Sequence, residues 1–140
     1  MRLVPTLEHA DACAAADAVR ADIARQGKTA VIAVCDAHGE LILLHRLDGA
    51  PLSSIAVATN KALTAARLRR PSAAVGDAVR ERGIDIGYYG DPRYVGFGGG
   101  VPIERDGVVV GGIGVSGLAE DEDRALAALG AAAVARGSGG

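Results

Sequence analysis

The chain is predicted to be an α+β domain in which helices flank an antiparallel β-sheet. The predicted elements follow the order helix, two strands, two helices, two or three strands, helix, and this is not the strict strand–helix alternation of a parallel α/β sheet. Each pair of strands is also joined by a short run of turn residues, as in a β-hairpin. The 140 residues are predicted to form one domain over residues 1–140.

The first part of the chain supplies one helix and one hairpin. The helix is predicted over residues 6–26, with Thr6 as its N-cap, because small and apolar residues recur there at helical spacing. Residues 29–35 are rich in β-branched side chains and predict a strand. Turn residues then separate this strand from a second apolar run over residues 40–46.

The remainder of the chain supplies three more helices and a second hairpin. A serine at the start of the first of these helices and a proline after it mark its two ends. The predicted elements are a helix over 53–70, a shorter helix over 71–82, strands over 101–104 and 108–115, and a helix over 120–135. The tail at 136–140 is rich in glycine and is predicted to be frayed.

Residues 83–100 show no regular pattern and contain all the aromatic side chains of the sequence. These are Tyr88, Tyr89, Tyr94 and Phe97. Long irregular segments inside compact domains are usually functional or disordered, and the aromatic content argues against disorder. We therefore expect this segment to border a pocket or an interface.

Composition excludes several classes of partner. The formal net charge is -2 and aromatic residues make up 3% of the chain, so neither a basic surface nor a base-stacking platform for nucleic acid is expected. No apolar run reaches the roughly 20 residues that a membrane span needs. Without a secretory apolar region near Met1, the expected location is the cytoplasm.

The glycine-rich run Gly112–Gly117 matches a dinucleotide-binding fingerprint between a strand and a helix. The following helix begins with four acidic residues at 120–123, which would repel a pyrophosphate. No second strand follows that helix to complete a βαβ unit. We therefore interpret the run as a strand that packs closely against a helix.

Three histidines could ligate a metal or haem iron, or transfer protons. His9 lies in the first helix, His38 in the turn of the first hairpin and His45 on its second strand. Of these, His45 is a candidate catalytic base. The ordinary alternatives are a turn residue for His38 and a solvent-facing residue for His45.

A pocket is predicted where three segments meet: the helix that carries Lys61, the strand exit at Arg46–Asp48, and the loop 88–97, which we call the aromatic segment. A desolvated Lys61 could act as a base, whereas a lysine whose stem lies along the surface could not. Arg46 could hold a carboxylate, with Asp48 orienting it, or the two could form a surface ion pair. The candidate ligand-binding residues are Arg46, Asp48, Tyr88, Tyr89, Tyr94, Phe97 and Gly99.

Taken together, several ordered sequence blocks resemble the haem-binding GlcG/HbpS family. The blocks are Ile32–Gly39, Arg46–Ala50, Lys61–Ala65, Gly98–Ile103, Asp106–Gly107 and Gly112–Gly117. The resemblance covers residues 6–135 and implies a profilin-like fold, assembly into oligomers and, in some members, haem binding. Members also occur as the C-terminal domain of corrinoid adenosyltransferases. The resemblance makes His9 and His38 candidate haem ligands, although no matched block fixes an axial ligand. His38 replaces a small residue of the family's turn.

Three functions remain open at this point. The first is a haem- or small-molecule-binding protein of this family, and the second is an isomerase or lyase that uses Lys61 or His45 as a base on a small carbonyl or hydroxy compound. The third is a structural subunit. The 20 glycines and the family resemblance also predict a homo-oligomer. Tyrosines that face a cavity would favour a ligand or an enzyme, and tyrosines on an outer face would favour assembly.

Overall fold

The computed structural model describes residues 1–136 of the chain. Residues 137–140, most of the tail predicted to be frayed, lie outside the described residues. The elements are α1 His9–Arg25, β1 Val31–Asp36, β2 Leu41–Arg46, α2 Ser53–Leu68, α3 Ser72–Arg82, a 3₁₀ turn Ile86–Tyr89, β3 Gly100–Arg105, β4 Val108–Ser116 and α4 Glu120–Arg136. Within residues 1–136, no helix is long and apolar enough to cross a membrane.

The four strands of the described chain form one antiparallel sheet in the order β2-β1-β4-β3. Both predicted hairpins are present, and the central contact joins β1 to β4, with Val31 opposite Ser116. The register shifts once in each hairpin, at Val34/Cys35 and at Ile103/Glu104. The α+β class is confirmed, and the arrangement agrees with a profilin-like fold.

The sheet separates two apolar layers. Alternate residues of a strand face opposite sides of its sheet. In β1, Ile32 and Val34 accordingly pack in the layer formed with α1 and α4, whereas Val31 and Ala33 pack in the layer under α2.

Glycines of β4 let α2 lie unusually close to the sheet. A Cβ at Gly114 would come within 2.1 Å of the carbonyl oxygen of Ala58, and one at Gly112 within 2.5 Å of the carbonyl oxygen of Ala62. Any side chain at these positions would therefore push the helix away from the strand. This supports the interpretation of the glycine-rich run as close packing.

The first helix begins later than predicted. Glu8 is the N-cap, and a reciprocal capping box joins it to Asp11. The hydroxyl of Thr6 instead accepts a hydrogen bond from the backbone N–H of Ala37 at 2.9 Å. The prediction of Thr6 as the cap is wrong, because a contact distant in sequence engages its side chain.

The irregular segment at 83–100 is tied to α2 and α3. The Thr64 hydroxyl accepts a hydrogen bond from the N–H of Val95 at 3.0 Å. The Ser72 hydroxyl donates to the carbonyl of Phe97 at 2.5 Å and accepts from the N–H of Gly100 at 2.8 Å. These bonds fix the course of the chain immediately before β3.

Candidate functional site

A cavity of about 400 Å³ lies between α3 and the aromatic segment, and we call it the aromatic groove. Its lining combines apolar side chains with one phenol, one guanidinium and one carboxylate. The lining residues are Gly76, Val79, Arg80, Asp85, Ile86, Tyr94, Val95, Gly96 and Phe97. A concave, mostly apolar site with a few polar groups is typical of small-molecule pockets.

Two glycines in close contact form part of the groove wall. A Cβ on Gly76 would come within 2.1 Å of the carbonyl oxygen of Gly96, and one on Gly96 within 2.7 Å of the Cα of Gly76. The backbones of α3 and the aromatic segment therefore touch directly. This contact holds the side chains of Tyr94 and Phe97 beside α3.

A charged network anchors the start of the aromatic segment. The Asp91 carboxylate accepts hydrogen bonds from Arg93 at 2.8 Å and from Arg67 at 3.1 Å. These bonds, chiefly those from Arg93, lower the pKa of Asp91 to about 2. Nε of Arg67 also donates to the carbonyl oxygen of His38 at 2.7 Å. One arginine of α2 thus links the hairpin turn to the aromatic segment.

A second cavity of about 360 Å³ lies where β4 ends and α4 begins, and we call it the lysine cavity. Its lining combines apolar side chains with an amine, two carboxylates and a hydroxyl. The lining residues are Val57, Lys61, Phe97, Gly98, Ser116, Leu118, Glu120 and Asp123. Phe97 lines both cavities, and 64% of its surface is exposed.

Lys61 and Asp123 form a buried ion pair in this cavity. Each is only 3% exposed, and Nζ of Lys61 lies 3.2 Å from Oδ2 of Asp123. Nζ also donates to the carbonyl oxygen of Val115 at 2.9 Å, and the N–H of Leu118 donates to Oδ1 of Asp123 at 3.2 Å. Burial raises the pKa of Asp123, and the charge of Lys61 opposes that shift. The surface-lysine alternative is excluded, because the whole Lys61 side chain is buried.

Gly99 makes room for the buried ammonium group. Its φ is +121°, a conformation that favours glycine, and a Cβ there would lie 2.8 Å from Nζ of Lys61. The neighbouring Gly98 donates its N–H to Oε1 of Glu120 at 2.8 Å. The glycine run before β3 therefore shapes one wall of the lysine cavity.

The structure brings together some of the predicted pocket residues and leaves out others. Lys61 and Phe97 line the lysine cavity, and Gly99 lies against Nζ of Lys61 but lines a neighbouring cavity. Arg46 and Asp48 are exposed and line neither cavity, and no hydrogen bond or ion pair of the described chain joins their side chains. The reason is topological: Arg46 lies on edge strand β2, two strand spacings, or about 10 Å, from Ser116 on β4.

The three tyrosines have different surroundings. Tyr94 lines the aromatic groove. Tyr88 is 80% exposed on the outer face. Tyr89 accepts a hydrogen bond from Arg70 at 3.3 Å, and the Arg70 guanidinium lies 5.9 Å from the centre of its ring. Tyr94 is therefore the tyrosine with access to a ligand in the groove.

The histidines line neither cavity. His9 is exposed on α1 with its ring 3.7 Å from Sγ of Cys13, and His38 is exposed in the hairpin turn. His45 lies opposite Ile32 on the sheet face covered by α1, and its Nδ1 is buried without a hydrogen-bond partner. Across residues 1–136, no group of three or more His, Cys, Asp or Glu side chains is placed to hold a metal ion.

Asp123 is a site residue that the sequence reasoning missed. In the sequence, Asp123 is one of four acidic residues at the start of a helix, where negative charge suits the helix dipole. Asp123 shares the inward side of α4 with Leu126 and Ala127, at i+3 and i+4, and all three are buried. This helical phase is the signal that could have identified it.

Comparisons with known proteins give a consistent picture. The sequence matches the family described as haem-degrading protein HbpS-like over residues 7–132. It is 36% identical over 126 residues to an uncharacterized 15.0 kDa protein in the dhaT–dhaS intergenic region of Citrobacter freundii. This match covers 89% of each chain. It is 32% identical over 108 residues to the corrinoid adenosyltransferase PduO of Salmonella typhimurium. That match covers 74% of this chain and 32% of PduO, so the chain spans about a third of that enzyme's length.

Solved structures share the fold over nearly the whole chain. The protein ORFY of Klebsiella pneumoniae superposes with a TM-score of 0.86 at 30% identity, covering 96% of this chain and 94% of ORFY. A double mutant of HbpS from Streptomyces reticuli gives a TM-score of 0.85 at 28% identity. The match covers 94% of this chain and 89% of the HbpS chain. A complex of PduOC with haem gives a TM-score of 0.82 at 28% identity. The match covers 91% of this chain and 94% of the PduOC chain.

Proposed function

The chain belongs to the HbpS-like family of haem-degrading proteins, and we propose that it binds haem, or a similarly flat small molecule, in the aromatic groove. The observation that carries this proposal is the groove itself, an apolar cavity that also contains a phenol and a guanidinium. The haem complex of PduOC supports it, because that domain has the same fold.

The residues of the groove fit the chemistry of haem. A haem presents a flat apolar face, and Val79, Ile86 and Val95 offer apolar surface in a cavity of about 400 Å³. That volume falls within the range of roughly 300–1,000 Å³ found for small-molecule sites. Haem also carries two carboxylates, and Arg80 at the groove can pair with one of them in exchange for its exposed partner Asp77. Tyr94 supplies an oxygen of the kind that ligates haem iron in some proteins.

Each of these side chains has a distinct task in the proposed site. Tyr94 would hold the iron through its phenolic oxygen, and Arg80 would neutralise a carboxylate. Val79, Ile86 and Phe97 exclude water from one face of the ligand. When bound, haem supplies redox chemistry at its iron, and the protein controls access to that iron through the groove.

A competing proposal keeps His9 or His38 as the iron ligand. Both side chains are exposed, so ligation by either would place haem on the outer surface near α1 and the hairpin turn. Titration with haemin, followed by the Soret band, separates the two proposals. We expect the wild-type band to shift on binding and the triple variant His9→Ala/His38→Ala/His45→Ala to shift in the same way.

The matched tyrosine variants complete this test. Tyr94→Phe is expected to alter the Soret position and weaken binding, whereas Tyr88→Phe, at an exposed tyrosine, should behave like the wild type. Absence of any wild-type shift would overturn haem binding. A shift abolished by the histidine changes and unaffected by Tyr94→Phe would place the ligand outside the groove.

A further inference from the structure

The lysine cavity contains a buried ion pair that the haem proposal does not use. Lys61 and Asp123 are both almost fully buried, yet they line a cavity rather than a close-packed core. Burial of two charges carries a large desolvation cost, and a well-packed apolar pair is often at least as stable. A desolvated charged pair in a cavity is therefore a candidate binding site.

The polar groups of the cavity leave specific bonding capacity for a ligand. An ammonium group has three N–H donors. In the described chain, Nζ of Lys61 gives two of them, to Val115 and Asp123. Glu120 uses Oε1 to accept the N–H of Gly98, which leaves Oε2 at the exposed rim. The cavity thus offers one donor in its interior and one acceptor at its mouth.

The charges of the cavity disfavour an anion. Lys61 contributes one positive charge, while Asp123 and Glu120 contribute two carboxylates. The side chain of Arg124 lies against Gly98 but lines a neighbouring cavity. A neutral ligand therefore suits the lysine cavity better than a carboxylate or a phosphate.

We propose that the lysine cavity binds a small neutral compound that carries both a carbonyl and a hydroxyl group. The carbonyl oxygen accepts the remaining N–H of Lys61, and the hydroxyl donates to Glu120. Val57 and Leu118 cover the short carbon skeleton. Lys61 acts here as a hydrogen-bond donor, because both of its protein partners are acceptors. Of the residues that line this site, only Phe97 also lines the aromatic groove, and the bonds proposed here do not depend on haem binding.

Amide chemical shifts of ¹⁵N-labelled protein, titrated with hydroxyacetone, test the proposal. The amides of Gly98 and Leu118 are direct reporters, because they donate to the carboxylates of Glu120 and Asp123. We expect saturable shifts at these amides at millimolar hydroxyacetone. Pyruvate, an anionic carbonyl compound, should produce clearly smaller shifts at the same concentration.

A variant that fills the cavity without touching the ion pair provides the control. Val57→Phe places a larger side chain in the cavity, and Ala56→Phe places the same side chain at an exposed neighbouring position. The hydroxyacetone shifts should disappear in Val57→Phe and persist in Ala56→Phe. If Val57→Phe does not fold, Val57→Leu should weaken the shifts in the same direction.

Three results would overturn the proposal. The first is an absence of saturable shifts at Gly98 and Leu118 in the wild type, as expected if the ion pair is purely structural. The second is equal shifts in Val57→Phe and Ala56→Phe. The third is a response to pyruvate that matches or exceeds the response to hydroxyacetone.

Discussion

Among individual residues, the Lys61–Asp123 pair makes the clearest prediction about stability. Removing one member of a buried pair leaves an uncompensated charge, so Lys61→Met should destabilise the protein by about 3–5 kcal/mol. The double variant Lys61→Met/Asp123→Leu should recover much of that loss, because it leaves no unpaired charge. Urea unfolding of both variants measures the difference.

The other lysine of the chain is the matched control. Lys28 pairs with Glu122 at the surface, and its side chain is 40% exposed. Surface ion pairs contribute only about 0–1 kcal/mol to the free energy of unfolding, so Lys28→Met should change that free energy little. If Lys61→Met lowered the free energy of unfolding by no more than Lys28→Met does, the burial of Lys61 would be contradicted.

Asp91 makes a prediction about pH. Hydrogen bonds from Arg93, together with the nearby charge of Arg67, lower its pKa from 3.8 to about 2 in the folded protein. Because the unfolded chain binds the proton first, this carboxylate stabilises the fold above pH 3.8 and loses that effect as the pH falls towards 2. Asp91→Asn should therefore flatten the pH dependence of unfolding in that window. Identical pH profiles for the variant and the wild type would contradict the network.

At the scale of elements, the contact between α3 and the aromatic segment depends on glycine. Gly76→Ala would normally favour a helix by about 1 kcal/mol. Here the added Cβ would approach the carbonyl oxygen of Gly96, so we expect a net destabilisation of about 1–3 kcal/mol. Glu81→Ala, at an exposed position on the same helix, is the control for thermal unfolding. A stabilised Gly76→Ala protein would show that the two backbones do not touch.

Local chemistry explains why the elements could be predicted. The turn residues at 36–39 and the β-branched run before them contain enough information to predict the first hairpin. The start of α1 could not be located in this way, because Thr6 bonds to Ala37, a residue 31 positions away. The central β1–β4 pairing, with Val31 opposite Ser116, joins residues much farther apart in sequence and leaves no local signal.

The candidate site was predictable only in part for the same reason. Lys61 and Phe97 were expected in one pocket and do line the lysine cavity. Arg46 was expected there too, but the strand order places it on the edge strand. Asp123 was missed because its partner lies 62 residues earlier and the pairing becomes visible only in the folded chain.

At the scale of the whole molecule, we propose assembly into a homo-oligomer. Large apolar side chains remain exposed at several points of the described chain, among them Leu41, Leu52, Phe97 and Val108. Burial of such residues between copies would stabilise a symmetric assembly. Light scattering at micromolar concentration should give a multiple of 14.1 kDa. A mass of 14.1 kDa would exclude a stable oligomer.

The position of iron in a crystal of the haemin-treated protein tests haem binding in the groove most directly. Anomalous scattering locates iron independently of the fitted haem. We predict a single iron peak in the aromatic groove next to Tyr94, with a haem carboxylate near Arg80. An iron peak beside His9 or His38, or no bound iron in protein saturated with haemin, would contradict the proposal.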